Sequence, residues 1–336
     1  MRAPIRLSVG SRPRLGVEEA GAVLVRRWGV EGELEPLPSE RDRNLLVRVE
    51  GDARYVLKVA NAAEDPLVLD LQHRAAERLR AAGLPVARVV PDASGAEVVE
   101  EDGHLVRLLT YLPGRPLAEV AERSPALLRD VGRTVGRAAR ALAGFDHPAA
   151  HRFLHWDVRQ ARRVIPACAR SVPDEGRRAL VLRTLDRFRR ETLPRLALAR
   201  VGVVHDDAND HNVLVDDGAT RVTGLLDLGD VVATYVVNDA AVACAYAALG
   251  QADPLAAAGE VAAGYREAFP LEPAELEALL GLIRLRLATS VAVAAHQHAE
   301  DPSDPYLTVS AGPAWSLLER LDRIPPGRPL PWGVPA

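Results

Sequence analysis

Apolar and polar residues alternate from Asn44 to Glu50, with Leu45, Val47 and Val49 on one side, and alternate again from Arg54 to Ala60. The turn-forming run Glu50-Gly51-Asp52-Ala53 separates them, so the pattern predicts an antiparallel hairpin. On its second strand Tyr55, Leu57 and Val59 share one face, and Val56 and Lys58 share the other. The period then becomes helical. Asp65-Pro66 supplies a cap and a first-turn proline, Val68, Leu71, Ala75 and Leu79 keep register, and Gly83 ends the run. LPVARVV and HLVRLLTYL predict further strands, closed by Pro113-Gly114.

Past YLPGRP the pattern changes. Ser124-Pro125 opens a helix carrying Leu127, Leu128, Val131, Val135, Ala138 and Leu142 in register. RRALVLRTLDRFRRETL, VVNDAAVACAYAALG, PLAAAGEVAAGYREAF and AELEALLGLIRLRLATSVAVAAHQHA are helical by period and by their Ala, Leu and Arg content. Strand-like runs return only around residues 201–227. The expected fold class is therefore α+β: a small antiparallel-sheet lobe with one helix, residues 1–110, and a larger, mainly helical lobe, residues 111–336. The Pro-rich end, IPPGRPLPWGVPA, is expected to be extended.

Composition narrows the function classes. With 48% hydrophobic and 26% charged residues the chain can bury a core, and its net charge of −4 recommends neither nucleic acid nor an anionic membrane as partner. Two cysteines, Cys168 and Cys244, are too few for a disulfide scaffold. The opening MRAPIRLSVGSRPRLG lacks the apolar core of a secretory signal, and AAVACAYAAL and LATSVAVAA are short for a bilayer span, so a cytoplasmic location is expected. Of the 42 basic residues all but Lys58 are arginine. A lone lysine marks a place where a compact, flexible ammonium serves and a planar guanidinium does not.

The densest chemistry lies in VGVVHDDANDHNVLVDD. Asn212–Asp216, the turn Asp217-Gly218 and Arg221–Asp227 form a second predicted hairpin. It brings Asn212 near Asp227, with His205 and Asp207 in the loop just before. Carboxylate and amide oxygens so grouped suit a hard cation such as Mg²⁺, which also binds phosphate.

His205-x-Asp207-x4-Asn212, followed by Asp227-Leu228-Gly229-Asp230, resembles the catalytic and metal-binding signature of the aminoglycoside phosphotransferase and choline kinase-like family. SERDRN, GFDHPAAHRFLHWDV, HDDANDHNVLV, GLLDLGD, RLRLATSV and DPYLTVSAGPAW are most similar to its hydroxylysine-kinase-like branch. The resemblance implies a two-lobed, protein-kinase-like fold and ATP-dependent transfer of phosphate to a small amine-bearing alcohol. It implies that Asp207 orients the acceptor hydroxyl and takes its proton, that Asn212 and Asp227 hold Mg²⁺, and that His205 braces the loop. Lys58 is implied at the α/β-phosphates of ATP. The Ser39–Asn44 loop is expected over the phosphates without glycines, and Tyr111 in the linker RLLTYLPG beside the nucleotide.

Three departures from the family pattern stand out. Gln72 falls where an acid would pair with Lys58, with Asp70 and Glu77 as substitutes. Asp206 replaces the usual glycine and adds charge beside the base, pointing to an acceptor amine among Asp206, Asp207, Asp230 and Asp157. Trp156 either lines the acceptor site or packs in the core, and Arg159 and Arg286 are candidates to meet an acceptor carboxylate. Within the kinase reading, aminoglycosides, choline or ethanolamine, and homoserine are alternative acceptors. A non-catalytic nucleotide-binding protein is one competing class. A non-haem iron oxygenase built on His205-x-Asp207 is another, disfavoured by the helical second half.

Overall fold

The computed structural model describes residues 13, 15–39, 42–325 and 328–334. Most of the opening segment weighed as a signal (all but Pro13, Leu15 and Gly16), Glu40 and Arg41 of SERDRN, Pro326, Gly327 and the last two residues lie outside them. The chain divides into two units. Of the described residues, the smaller holds those up to Glu77 together with Val86–Leu112, and the larger holds Arg78–Pro85 with those from Pro113 onward.

In the smaller unit helix α1 (Val17–Trp28) is followed by strands β1 (Glu33–Leu37), β2 (Arg43–Val49) and β3 (Asp52–Val59). Helix α2 (Pro66–Ala81) and strands β4 (Val89–Val90), β5 (Val99–Glu101) and β6 (His104–Thr110) complete it. The sheet is antiparallel, in the order β1-β2-β3-β6-β4, with β5 also on β6. The predicted hairpin is β2–β3, and Lys58 stands opposite Asn44 on one neighbour and Arg107 on the other. Leu45, Val47, Leu57, Val59, Val106 and Leu108 form the core face. Helix α1 is an addition to the single helix expected. Its Ala20, Val23 and Leu24 cover that face, Gly16 N–H donates to Glu19 Oε2 at 2.6 Å at its start, and left-handed Gly29 ends it.

The larger unit opens with β7 (Arg115–Pro116), α3 (Pro125–Leu142), α4 (Ala161–Cys168), α5 (Glu175–Arg187) and α6 (Leu193–Leu196). Strands β8 (Val201–Val204), β9 (Val213–Val215), β10 (Val222–Leu225) and β11 (Val232–Tyr235) follow, then α7 (Val236–Ala247), α8 (Pro254–Ala268), α9 (Pro273–Glu300) and α10 (Ala311–Asp322). β10-β9-β7 form one small sheet and β11-β8 another. Residues 205–212 therefore join β8 to β9, and residues 226–231 join β10 to β11. These two loops carry the predicted chemistry.

Helix α9 is long and apolar enough to cross a bilayer, beyond the short LATSVAVAA stretch, but its apolar window is buried inside the fold as a core helix. The Pro-rich end, in its described part, is not simply extended. Leu330 and Trp332 are buried, and a Cβ on Gly259 of α8 would meet Pro331 at 2.5 Å.

Helices α3 and α8 meet backbone to backbone. A Cβ on Gly132 would lie 1.9 Å from the Val261 carbonyl oxygen, and one on Gly264 would lie 1.9 Å from that of Arg129. No side-chain adjustment relieves a clash with backbone. Gly132→Ala is therefore expected to destabilise the protein by about 3 kcal/mol through overpacking. Urea unfolding checks this against Gly312→Ala, where a Cβ meets nothing within 4 Å.

Candidate active site

Asp206 and Asp227 adopt left-handed backbone conformations, φ 62° and 52°. A non-glycine residue there is strained, and one sits in each site loop. The loops are tied directly: Leu226 N–H donates to the Asn212 carbonyl at 2.8 Å. His205 adds a second tie. Its Nε2–H donates to the Leu226 carbonyl at 2.9 Å while Nδ1 accepts from Asp207 N–H at 3.2 Å. Both bonds suit a neutral ring, and complete burial lowers its pKa in the same sense.

Asp207 projects into this frame. Its Oδ1 accepts from Asn209 Nδ2 at 3.0 Å and Arg286 Nη2 at 2.8 Å, and its Oδ2 accepts from Asn212 Nδ2 at 2.7 Å. The side chain keeps 17% exposure. Burial and then the charge of Asp230 push its pKa up to about 8, against the pull of Arg286. A carboxylate with such proton affinity, held on both oxygens yet still open at one side, is suited to accept a proton from an alcohol.

The structure places the other expected residues as follows. Asn212 spends its amide nitrogen on Asp207, by side chain and by carbonyl, which turns its amide oxygen the other way. Asp227 is exposed, accepts from Gly229 N–H at 2.9 Å, and lies near enough to raise the pKa of Asp207. No cluster of three His, Cys, Asp or Glu suited to a metal occurs among the described residues. One amide and one carboxylate oxygen do fit Mg²⁺, which keeps waters and takes its remaining ligands from phosphate. Asp230 is buried beside the same loop. Trp156 is half-buried and stacks on Arg286, with the guanidinium carbon 4.7 Å from the ring centroid, so it borders the base rather than lying in a remote core.

Two acids expected at the acceptor are elsewhere engaged. Asp206 is wholly buried, not at a mouth. Its left-handed φ turns the side chain inward, where Oδ1 accepts from Asn238 Nδ2 at 2.6 Å, while its N–H donates to Asp239 Oδ1 at 3.0 Å. Burial drives its pKa well up, and that of Asp239 to about 7. Asp206 thus fastens the loop to α7 and offers no free charge to an amine. Asp157 is also buried. It accepts from Arg159 N–H and Nε, each at 3.0 Å, and from the Thr234 hydroxyl at 2.6 Å, which makes it a cap.

In the smaller unit Gln72 is buried and its amide oxygen accepts from Arg107 Nη2 at 2.6 Å, so it serves Arg107, the neighbour of Lys58 in register. Ser39 Oγ accepts from Asp42 N–H at 3.2 Å, and Asn44 stands opposite Lys58. Tyr111 is fixed through its N–H to the Arg54 carbonyl at 2.9 Å.

Two contributors, Asn209 and Arg152, carry no assigned role in the sequence reading, and a third, Arg286, is weighed there for an acceptor carboxylate rather than for Asp207. Asn209 accepts from the N–H groups of His211 and Asn212, at 2.9 and 3.1 Å, and so shapes the loop. Its place two residues after Asp207 is the signature of an Asx turn. Arg152 holds the second loop through the carbonyls of Gly229 and Val231, both at 2.6 Å. Arg286, one arginine among many in sequence, is the cation on Asp207.

Comparison with known proteins gives the family and the fold. A family model described as phosphotransferase enzyme family matches residues 33–279. A hydroxylysine kinase of Mus musculus is 30% identical over 341 residues, covering 93% of this chain and 90% of that protein. The solved structure of a microcompartment-associated aminopropanol kinase superposes with TM-score 0.69 at 19% identity, covering 91% of this chain and 97% of the other. That of an amicoumacin kinase in complex with AMP-PNP, Ca²⁺ and Ami superposes with TM-score 0.64 at 17% identity, covering 85% and 88%. The chain belongs to the phosphotransferase enzyme family.

Proposed function

We propose that this phosphotransferase is a kinase that transfers the γ-phosphoryl group of ATP to the hydroxyl of a hydroxy-amino acid, hydroxylysine being the first acceptor to examine. The observation that carries the reading is the Asp207 carboxylate, gripped by Asn209, Asn212 and Arg286 with one side open. The acceptor class is supported by likeness to hydroxylysine kinases along 93% of the chain.

Asp207 would bind the acceptor hydroxyl, orient its oxygen toward the γ-phosphorus and take its proton as the new O–P bond forms and ADP leaves. Phosphoryl transfer passes through a loose transition state, so positioning and neutralisation of charge are the main demands on the protein. Three donors fix the direction of Asp207, and His205 and Asn209 fix the loop that presents it. Asn212 and Asp227 would hold Mg²⁺, which supplies positive charge to the phosphate oxygens. Positive charge near Asp207 lowers its pKa, so the base ionises most readily in the loaded enzyme. In the smaller unit we assign Lys58 to the α/β-phosphates, with the 39–44 loop and Tyr111 as further nucleotide contacts.

An ATP-consumption screen over hydroxylysine, homoserine, ethanolamine, choline and aminoglycosides tests the acceptor class. The highest kcat/KM is expected for hydroxylysine. Asp207→Asn retains the size and most hydrogen bonds of the side chain but not its basicity, so kcat is expected to fall by about 10²–10⁴-fold with little change in KM for ATP. Unchanged turnover would remove Asp207 as the base.

Lys58→Arg preserves charge but replaces a compact ammonium with a planar fork. The KM for ATP is expected to rise by about tenfold, the size of one charge-assisted contact. Full retention of nucleotide affinity and rate would show the lone lysine to be incidental.

A further inference from the structure

Arg286 lies within α9 and is 5% exposed. Its central carbon stands over the rings of Trp156 and Tyr246, 4.7 and 5.5 Å from their centroids, so hydrogen bonds are left to the edges of the guanidinium. Nη2 donates to Asp207 at 2.8 Å. Nε and Nη1 are enclosed without a hydrogen-bond partner. Their N–H bonds point along different edges, so no single acceptor takes both. Arginine keeps its charge, and a buried donor left unmet is costly.

An orphaned acceptor lies in the same network. The carboxylates that bear on the charge of Arg286 are Asp207, Asp206 and Asp230, and of these Asp206 alone has an enclosed oxygen without a partner, Oδ2. Burial disfavours an ionised Asp206, and Arg286 is the strongest influence in its favour. The rest of Asp206 is already anchored on α7. Oδ1 accepts from Asn238 Nδ2 at 2.6 Å, and its N–H donates to Asp239 Oδ1 at 3.0 Å. Asp239 Oδ2 is also enclosed and unpartnered, but Asp239 is not among the groups that bear on Arg286. Polar atoms that all need partners and do not touch are the setting in which proteins enclose water, each molecule making about three such bonds.

We propose that Asp206 is a positioning residue for phosphoryl transfer: its Oδ2, joined through enclosed water to one of the spare N–H groups of Arg286, holds the guanidinium that aims Asp207. This rests on the kinase reading above and adds a residue to it. A guanidinium bonded through one nitrogen is free to turn about that bond, and a second hold fixes the direction of Nη2–H on Asp207. The left-handed φ of Asp206 sends the side chains of residues 206 and 207 apart, so that two consecutive acids grip one cation from different sides. The path then runs from Asn238 on α7 through Asp206 and Arg286 to the base.

A crystal structure of the wild-type enzyme that resolves ordered water tests the link without turnover or a variant. One water is expected within hydrogen-bond distance of both Asp206 Oδ2 and Arg286 Nε or Nη1. Water shared by Asp206 and Asp239 alone, or a dry gap, would overturn the proposal.

Kinetics test the consequence. Asp206→Gly removes the carboxylate and adopts φ 62° without strain. With the acceptor selected by the screen, kcat is expected to fall about 10–100-fold while KM for ATP stays within about twofold, because aim is lost and nucleotide contacts are not. Wild-type kcat would show the carboxylate to be dispensable. Asp206→Gly also frees the loop from Asn238, and a double-mutant cycle separates that effect. In an Arg286→Met background, Asp206→Gly is expected to cost no more than about threefold further, since the residue it acts through is gone. An equal loss in both backgrounds would confine Asp206 to its own loop and overturn the proposal. Absence of turnover with every acceptor would count against the kinase reading, while the wild-type structure would still decide whether Asp206 holds Arg286.

Discussion

The ion pair between Asp207 and Arg286 is the contact on which the site depends. A carboxylate drawn out of water beside Asp230 and Asp227 is pushed toward its protonated form, and its pKa climbs to about 8. Arg286 opposes that climb, and the amides of Asn209 and Asn212 take two further lone pairs, leaving one on Oδ2 open. Breaking a buried pair of this kind by removing one partner typically costs about 3–5 kcal/mol, because the other charge stays behind. The arrangement is therefore poor as a source of stability and good as a means of keeping one acid basic and aimed. Much of the larger unit serves that end. The core helix α9 carries the cation, β8 and β9 carry the acid, and α7 holds the strained loop from beneath through Asp239 and Asn238.

Strain explains why so many polar contacts converge on so few residues. Left-handed Asp206 and Asp227 would relax if their loops were free. They are not free. The Leu226–Asn212 main-chain bond, the His205 bridge and the Arg152 clamp on Gly229 and Val231 fix both loops against each other. A neutral, buried histidine suits this work better than a charged one. Its two nitrogens act once as donor and once as acceptor, and its protonation would lose the bond from Asp207 N–H.

How far the sequence discloses this depends on the range of the interaction. Alternation over Asn44–Glu50 and Arg54–Ala60 places the β2–β3 hairpin, because strand faces are set by neighbours two residues apart. His205, Asp207, Asn212 and Asp227 can be read as a group because they sit on either side of one hairpin. Arg286 stands 79 positions from Asp207 in a chain full of arginines, and no local pattern marks it. Asp206 shows a different limit. Its identity is plain, but whether it faces substrate or core turns on one dihedral angle, and its reading as an extra charge beside Asp207 put it on the wrong side. Helix α1 escapes attention for a third reason: its buried face is small, built on Ala20, Val23 and Leu24, and gains meaning only against the sheet it covers.

The arginine excess itself has a structural logic. Arg123, nearly buried, reaches the carbonyls of Leu117, Val120, Tyr246 and Ala247 and the carboxylate of Asp210 from one side chain. Arg284 puts two nitrogens on the Leu321 carbonyl, Arg200 puts two on Glu275, and Arg152 spans three carbonyls. Each is a planar fork joining chain segments with donors spread over three nitrogens in fixed directions, a geometry that an ammonium's single nitrogen does not have. Arg107 does the same beside Lys58, bridging β6 to α2 through Gln72 and His73. There burial and the guanidinium hold the His73 pKa down to about 4, so that ring stays neutral as well. The chain thus uses guanidinium wherever fixed geometry is wanted. On the β3 face shared with Val56 it retains an ammonium, flanked in register by an amide and an arginine. A compact ammonium there is what the phosphate contact proposed for Lys58 would use, in contrast to the fixed forks elsewhere.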